Sequence, residues 1–148
     1  MKFLIFTFII CFVTFESNAQ KYILLDKTMS QPAFYTNQLS IIEKYKGFLP
    51  VESKDIGKFI NALEEISKRL SSKKITGKAK QYQVGCDKFE GTVILAGSEN
   101  RLDYVITSNC DGLKVYMHVC DAKLNNEDNA YFINTWISYI RNTALKKH

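Results

Sequence analysis

Two cysteines and the only histidine before the C-terminal residue fall within SNCDGLKVYMHVCD, residues 108–121. Such residues can ligate a metal, form a nucleophile–base pair or form a disulfide. Cys110 and Cys120 flank an Asp-Gly pair, which is the strongest short signal for a two-residue hairpin turn. On that hairpin they lie on opposite faces and about seven positions apart, ~23 Å at ~3.3 Å per residue. This spacing excludes a Cys110–Cys120 disulfide and a shared metal ion, because bonded cysteines have Cα atoms within ~7 Å.

His118 and Cys120 are the second combination that could do chemistry, because they share one strand face with Asp103 opposite Cys120. A cysteine–histidine nucleophilic pair needs side chains within ~3–4 Å, whereas residues two apart on a strand are ~6–7 Å apart. The three residues also lack the Cys-x-x-Cys spacing of structural zinc sites. The sequence therefore predicts no catalytic residue, no metal ligand and no cofactor here. A small thiol- or histidine-dependent enzyme is the alternative.

The first twenty residues, MKFLIFTFIICFVTFESNAQ, have the organisation of a secretory signal peptide. Lys2 is the charged start, an apolar run extends to Phe15, and Ser17 and Ala19 form a small-x-small cleavage site. The run is shorter than the ~20 apolar residues that a membrane span requires. We expect cleavage after Ala19, which leaves residues 20–148 as a single domain, secreted or periplasmic, without stable membrane insertion.

Charge and cysteine usage narrow the range of partners. The expected mature chain keeps the net charge of +5, because Lys2 and Glu16 cancel. Export argues against nucleic acid, and the positive sign favours a protein or an anionic envelope component. Three cysteines remain after cleavage, and thiols outside the cytosol tend to pair. The predicted sheet allows a Cys86–Cys110 disulfide if the strand before Cys86 ends at Gly85, with two free buried thiols as the alternative.

Two amphipathic helices are predicted, because apolar residues recur every three or four positions in two stretches of the chain. They are SKDIGKFINALEEISKRLSSKK (53–74) and NNEDNAYFINTWISYIRNTALKKH (125–148), with Ser53 and Asn126 as N-caps. Their apolar stripes consist of Ile56, Phe59, Ile60, Leu63, Ile66 and Leu70 in the first helix, and Ala130, Ile133, Trp136, Ile137, Ile140 and Ala144 in the second.

Between the helices the apolar period falls to two, which is typical of strands. The predicted strands span about 80–86, 89–97, 101–109 and 113–120. The predicted hairpin connectors are Asp87-Lys88, Ser98-Glu99 and Asp111-Gly112. The fold class is therefore α+β: a four-stranded antiparallel meander with both helices on one face. An extended N-terminal segment, with KYILLDK (21–27) and PAFYTN (32–37), adds one or two short strands.

Tight turns fix strand register, so counting from each turn assigns every side chain to a face. The face that carries Ile106 and Met117 is the predicted core. The opposite face mixes polar groups with aromatic and branched ones. Its predicted cross-strand rows are Thr92–Val105–His118, Glu90–Thr107–Tyr116 and Ile94–Asp103–Cys120. Either the N-terminal segment covers this face or part of it is a binding surface.

A basic loop is the other candidate surface. The stretch KRLSSKKITGKAK (68–80) includes Lys73 and Lys74, which could contact an anionic ligand. The alternative is a solvated helix end whose cations are favoured by the helix dipole. Motifs of the common enzyme classes, such as GxSxG, HExxH and glycine-rich phosphate loops, do not occur in the sequence.

These observations favour an exported, non-enzymatic binding or interaction domain for a protein or an anionic envelope component. A narrower alternative is an inhibitor or immunity-type protein against an envelope-acting toxin or hydrolase. The candidate binding residues are Thr92, Asp103, Thr107, Tyr116 and His118 on the sheet, and Lys73 and Lys74 in the loop.

Overall fold

A computed structural model of the chain describes the strands 22–25 and 34–36 and the ranges 49–120 and 123–144. The predicted signal peptide, residues 1–19, lies outside the described residues. Helix α1 spans Ile56–Leu70, after a 3₁₀ turn at Ser53–Asp55, and helix α2 spans Asn126–Ala144. The strands are β1 Tyr22–Leu25, β2 Phe34–Thr36, β3 Leu49–Glu52, β4 Tyr82–Val84, β5 Asp87–Ala96, β6 Glu99–Cys110 and β7 Leu113–His118.

The strands form two sheets. The larger is an antiparallel meander in the order β4-β5-β6-β7, and the smaller has the order β2-β1-β3, also antiparallel. This confirms the predicted α+β class, the four-stranded meander and the short strands of the N-terminal segment. None of the helices in the described part of the chain is long and apolar enough to cross a bilayer.

Both helices pack on one face of the larger sheet, as their apolar stripes predict. Phe59 of α1 is fully buried between the sheet and α2. Its ring centroid lies 5.1 Å from that of Phe89 on β5 and 6.2 Å from that of Trp136 on α2. The helices are also joined by polar contacts, since the Ser67 hydroxyl donates to the Asn134 side-chain oxygen at 2.8 Å. The core is therefore a layer of apolar side chains between one sheet face and a helix pair.

Both predicted N-caps are wrong. Helix α1 begins only at Ile56, and Ser53 lies in the preceding 3₁₀ turn without a capping hydrogen bond. For α2 the cap is Asn125, whose side-chain oxygen accepts from the Asp128 backbone N–H at 2.7 Å. The neighbouring Asn126 bonds to strand β6 instead, since its amide donates to the Asn100 carbonyl at 2.9 Å. The second helix is thereby fixed to the sheet at its first turn.

Two of the three predicted turns lie elsewhere. The Asp111-Gly112 turn is confirmed, with φ positive at both residues as a type I′ turn requires. The other two turns are Gly85-Cys86 and Gly97-Ser98, where φ is positive only at the glycine. Glycine at the first position is the signature of a type II′ turn. The predicted connectors Asp87-Lys88 and Ser98-Glu99 are therefore wrong, and Asp87 lies inside β5.

Strand β3 packs on the core face of the larger sheet. Leu49 and Val51 of β3 belong to the buried core. The Pro50 carbonyl, also in β3, accepts a hydrogen bond from the Ser108 hydroxyl of β6 at 3.2 Å. Strand β3 thus does not cover the opposite face of the sheet. Residues 26–33 and 37–48 of the same segment lie outside the described residues.

Candidate functional site

The outer face, defined as the side of the larger sheet that points away from the helices, carries most of the predicted binding residues. The observed rows are Lys88–Thr107–Tyr116, Glu90–Val105–His118 and Thr92–Asp103. The predicted rows that joined Thr92 to Val105, Glu90 to Thr107 and Ile94 to Asp103 are each displaced by two residues on β5, because the turn lies at Gly97-Ser98. A shift of two preserves the face. The residues predicted to share this face therefore do so, with the exception of Cys120.

A shallow groove of about 640 Å³ lies at one end of the outer face. Tyr116 stands beside it with 69 % of its surface exposed. The lining residues come from all four strands and the first turn: Gln83, Cys86, Lys88, Glu90, Thr107, Asn109, Lys114 and Tyr116. The groove thus combines an exposed aromatic ring with amide, hydroxyl and ammonium groups, which is the mixture found in protein-binding sites.

The polar side chains of this groove differ in whether they already make hydrogen bonds or ion pairs. Lys88 is paired with Glu90, and the Gln83 amide donates to the carbonyls of Gly85 and Asp87. In contrast, four side chains make no hydrogen bond or ion pair with another described residue: Thr107, Asn109, Lys114 and Tyr116. These groups are available to a ligand without the loss of an existing contact.

His118 and Asp103 form a loose pair on the same face. The Nδ1 of His118 lies 3.8 Å from the Oδ1 of Asp103, which is too long for a hydrogen bond. Cys120 does not join them, because β7 ends at His118 and both Val119 and Cys120 are buried in the core. The predicted position of Cys120 on the outer face is therefore wrong. The thiol is separated from solvent, which argues against a nucleophilic role.

The basic loop contributes to a separate cleft of about 760 Å³. Lys73 and Lys74 line it, together with the β5–β6 turn and the first turn of α2. Its amides are already engaged, since Asn100 donates to the Ile75 carbonyl at 3.0 Å and Asn126 donates to Asn100. The larger cleft therefore presents Lys73 and Lys74 together with the carboxylates of Glu99 and Glu127, while the smaller groove presents uncommitted polar groups on a sheet.

Cys86 and Cys110 are joined by a disulfide with a Cα–Cα distance of 5.2 Å. Because the turn lies at Gly85-Cys86, Cys86 leaves the ladder and approaches the end of β6. The Asn109 backbone N–H donates to the Cys86 carbonyl at 2.9 Å and holds the turn there. The two sulfurs differ in environment: Cys86 is partly exposed and lines the groove, whereas Cys110 is 1 % exposed.

A buried carboxyl group adjoins this disulfide. Asp87 is 1 % exposed, and neither of its side-chain oxygens has a hydrogen-bond partner in the described part of the chain. Burial is the main cause that raises the pKa of Asp87 to about 7, and the negative charges of Asp55 and Glu52 act in the same direction. The Ser108 hydroxyl opposes this effect and lowers the pKa of Asp87 in part; its oxygen also lies 3.2 Å from both the Pro50 carbonyl and the Cys110 Sγ.

Gly85 allows the β4–β5 turn to pack directly against the buried Asp55. Its φ is +56°, and a Cβ atom added there would collide with the buried Asp55 carboxylate. We expect Gly85→Ala to lower the free energy of unfolding by more than the ~1–2 kcal/mol that a left-handed alanine costs. The matched control is Gly97→Ala, which has the same turn position, a φ of +66° and open space around it. Equal losses in urea unfolding of the two variants would contradict the close contact with Asp55.

The ligand atoms of Cys86, Asp87 and Cys110 lie within 4.8 Å of one another, a spacing that metal sites also have. Metal binding requires thiolates, and both sulfurs are here bonded to each other. The disulfide-bonded protein therefore has at most one ligand, Asp87, at this position. The close spacing of these three residues therefore reflects the disulfide and does not indicate a metal site.

Asp87 is the residue of this region that sequence reasoning missed. The Asp-Lys pair at 87–88 resembles a turn, and an aspartate inside a strand is uncommon. The signal that could have located it is Gly85, because Gly-X at a hairpin connection places the turn there and Asp87 on the core face.

Comparisons of the chain with protein-family models, with curated proteins and with solved structures find no match.

Proposed function

We propose that this chain is an exported binding protein that holds a protein partner in the groove of the outer face. The observation that carries the proposal is the exposed ring of Tyr116 beside three side chains, Thr107, Asn109 and Lys114, that make no polar contact with another described residue. Aromatic residues that are exposed beside adaptable polar groups are the usual centres of binding energy in protein interfaces. Because the strands fix the backbone in advance, binding has to order only the side chains.

The chemistry of the groove indicates the kind of segment that fits it. Lys114 supplies a free positive charge, and Asn109 and Thr107 supply hydrogen-bonding groups beside the ring of Tyr116. A partner segment with a carboxylate and an apolar side chain would engage both. The net charge of +5 favours the approach of such an acidic partner. The disulfide supports a secreted or periplasmic location, because such bonds persist outside the cytosol.

Replacing Tyr116 by alanine is expected to weaken partner binding by at least about 30-fold, the equivalent of ~2 kcal/mol for an interface centre. Stability should change by less than ~0.5 kcal/mol, because the ring is exposed. The matched control is Tyr131→Ala on α2, which removes a ring that is 76 % exposed. The measurement is a pull-down with the mature protein, with retained proteins quantified by mass spectrometry.

A second pair of variants separates the groove from the basic loop. Lys114→Glu should release the same partner as Tyr116→Ala, whereas Lys73→Glu with Lys74→Glu should retain it. If the partner is lost only from the loop variant, the binding surface is the larger cleft and the proposal for the groove is wrong.

A further inference from the structure

The Cys86–Cys110 disulfide is unsymmetrical. One sulfur belongs to a turn residue that lines the outer groove, and the other is buried at the core side. A thiolate that enters from the groove therefore meets Cys86 first, with Cys110 as the leaving sulfur. Thiol–disulfide exchange requires access to one sulfur and a stabilised thiolate or thiol at the other.

The buried sulfur has groups that can handle a proton. The Sγ of Cys110 lies 3.2 Å from the Ser108 hydroxyl oxygen, so a thiolate formed there can accept a hydrogen bond. One oxygen of the Asp87 carboxyl lies within 4.8 Å of both sulfurs, and neither oxygen has a hydrogen-bond partner among the described residues. Proton transfer to sulfur needs hydrogen-bond distance, so from this spacing it requires a small approach of the Asp87 side chain or one bridging water molecule.

From this arrangement we propose that Cys86 and Cys110 form a redox-active pair that exchanges electrons with a protein dithiol, with Asp87 as the proton donor and acceptor for Cys110. A partner thiolate attacks the Cys86 sulfur and forms a mixed disulfide, while the bond to Cys110 breaks and its sulfur takes the electron pair. Asp87 donates its proton to that thiolate. The second partner thiolate then attacks the partner's own sulfur and releases Cys86. Two electrons reduce this disulfide, and the partner dithiol is oxidised to a disulfide.

The reverse reaction uses the same groups. The charged Asp87 removes the proton from the Cys110 thiol, and the thiolate attacks a mixed disulfide at Cys86. A carboxyl group suits this role when its pKa lies near the working pH. Asp55 and Glu52 face Asp87 with like charge and raise its pKa. Two cations pair with these carboxylates: the Lys54 nitrogen lies 2.7 Å from the Oε2 of Glu52, and the Lys58 nitrogen lies 3.8 Å from the Oδ1 of Asp55.

A purely structural disulfide would not need Asp87. A buried carboxyl without a partner costs free energy, and a structural bond between Cys86 and Cys110 gains nothing from its presence. The activity also does not require the partner proposed for Tyr116, because a small dithiol can reach Cys86 through the same groove. Failure of one proposal therefore leaves the other intact.

The first test follows reduction of the folded protein by dithiothreitol, with alkylation and mass spectrometry as the readout. In the Cys120→Ser background, the reduction rate is expected to be constant over urea concentrations below the unfolding transition. The rate per dithiothreitol thiolate should fall at least about tenfold between pH 6 and pH 8.5, and should be flat in Asp87→Asn. A rate that rises steeply with urea from zero shows reduction only through unfolding and overturns the proposal.

The second test traps the exchange intermediate. In the Cys120→Ser background, Cys110→Ser leaves Cys86 as the single thiol of residues 20–148, and this variant is expected to form a mixed disulfide with a peptide whose cysteine is activated as a pyridyl disulfide. In the same background, Cys86→Ser leaves only the buried Cys110 thiol, and its reaction should be at least about tenfold slower. Equal rates for the two variants would contradict the assignment of Cys86 as the attacked sulfur.

Discussion

Replacing Asp87 by asparagine is expected to raise the free energy of unfolding by about 4 kcal/mol at pH 8 and to change it little below about pH 4. The carboxyl group is 1 % exposed and has no hydrogen-bond partner, so its charged form is disfavoured in the fold. Its pKa is about 7 in the folded protein, against an ordinary value of 3.8. At ~1.4 kcal/mol per pH unit, this difference gives the expected gain.

The direction follows from the proton that each state holds. Between pH 3.8 and about 7 the folded protein keeps the Asp87 proton and the unfolded chain has released it. The stability of the wild-type protein is therefore full below 3.8, falls by ~1.4 kcal/mol per unit as the pH rises, and is constant above the folded pKa. Asparagine has no proton to lose, so this part of the pH dependence disappears.

Urea unfolding of the disulfide-bonded protein, followed by circular dichroism across this pH range, measures the effect. Glu99→Gln, at an exposed carboxylate of the β5–β6 hairpin, is the control and should leave the pH profile unchanged. Parallel profiles for the wild-type protein and Asp87→Asn would show that the Asp87 carboxyl is solvated in solution, contrary to its position in the structure.

Phe59→Ala is expected to cost about 3–5 kcal/mol of folding free energy. The ring is fully buried where α1, α2 and the sheet meet, in contact with Phe89 and Trp136. Its removal leaves a cavity that three separate elements would have to move to fill. Since small domains are stable by ~5–15 kcal/mol, the variant should unfold at a markedly lower urea concentration.

The control on the same helix is Asn61→Ala, which replaces an exposed residue and should change stability by less than ~0.5 kcal/mol. The midpoint and slope of the urea transition should both be recorded, because an unchanged slope shows that the folded state stays compact. A loss below about 1.5 kcal/mol for Phe59→Ala would mean that the core repacks around the missing ring.

The helices and the sheet faces could be predicted because each depends on a period in the sequence. The apolar stripe that includes Phe59 and Leu63 occupies one side of the helix, so that side must face the core. The assignment of side chains to sheet faces stayed correct although two turns were misplaced, because moving a two-residue turn along the chain shifts the strand pairing by an even number of residues. The face on which a strand residue lies can therefore be predicted more reliably than its exact pairing partner.

The candidate site was less accessible to sequence reasoning. The predicted disulfide is present because the chain leaves the ladder at Gly85, the condition on which the pairing depended. The neighbouring Asp87 was assigned to a connector, and Cys120 to a strand that ends two residues earlier. In both cases a local break in regular structure, set by glycine or by the end of a strand, outweighed the periodic pattern. The roles proposed for Tyr116 and the other candidate contacts stay predictions until partners are tested.

The disulfide also affects where local unfolding of the sheet begins. It fastens the end of the meander that contains the β4–β5 and β6–β7 turns, while the far end, at the β5–β6 hairpin tip, has no covalent tie and exposes Leu95. We therefore expect local unfolding of the sheet to begin at that tip and to become rarer toward the groove. Reduction of the disulfide would remove this difference between the two ends, and local unfolding could then begin at either end of the sheet.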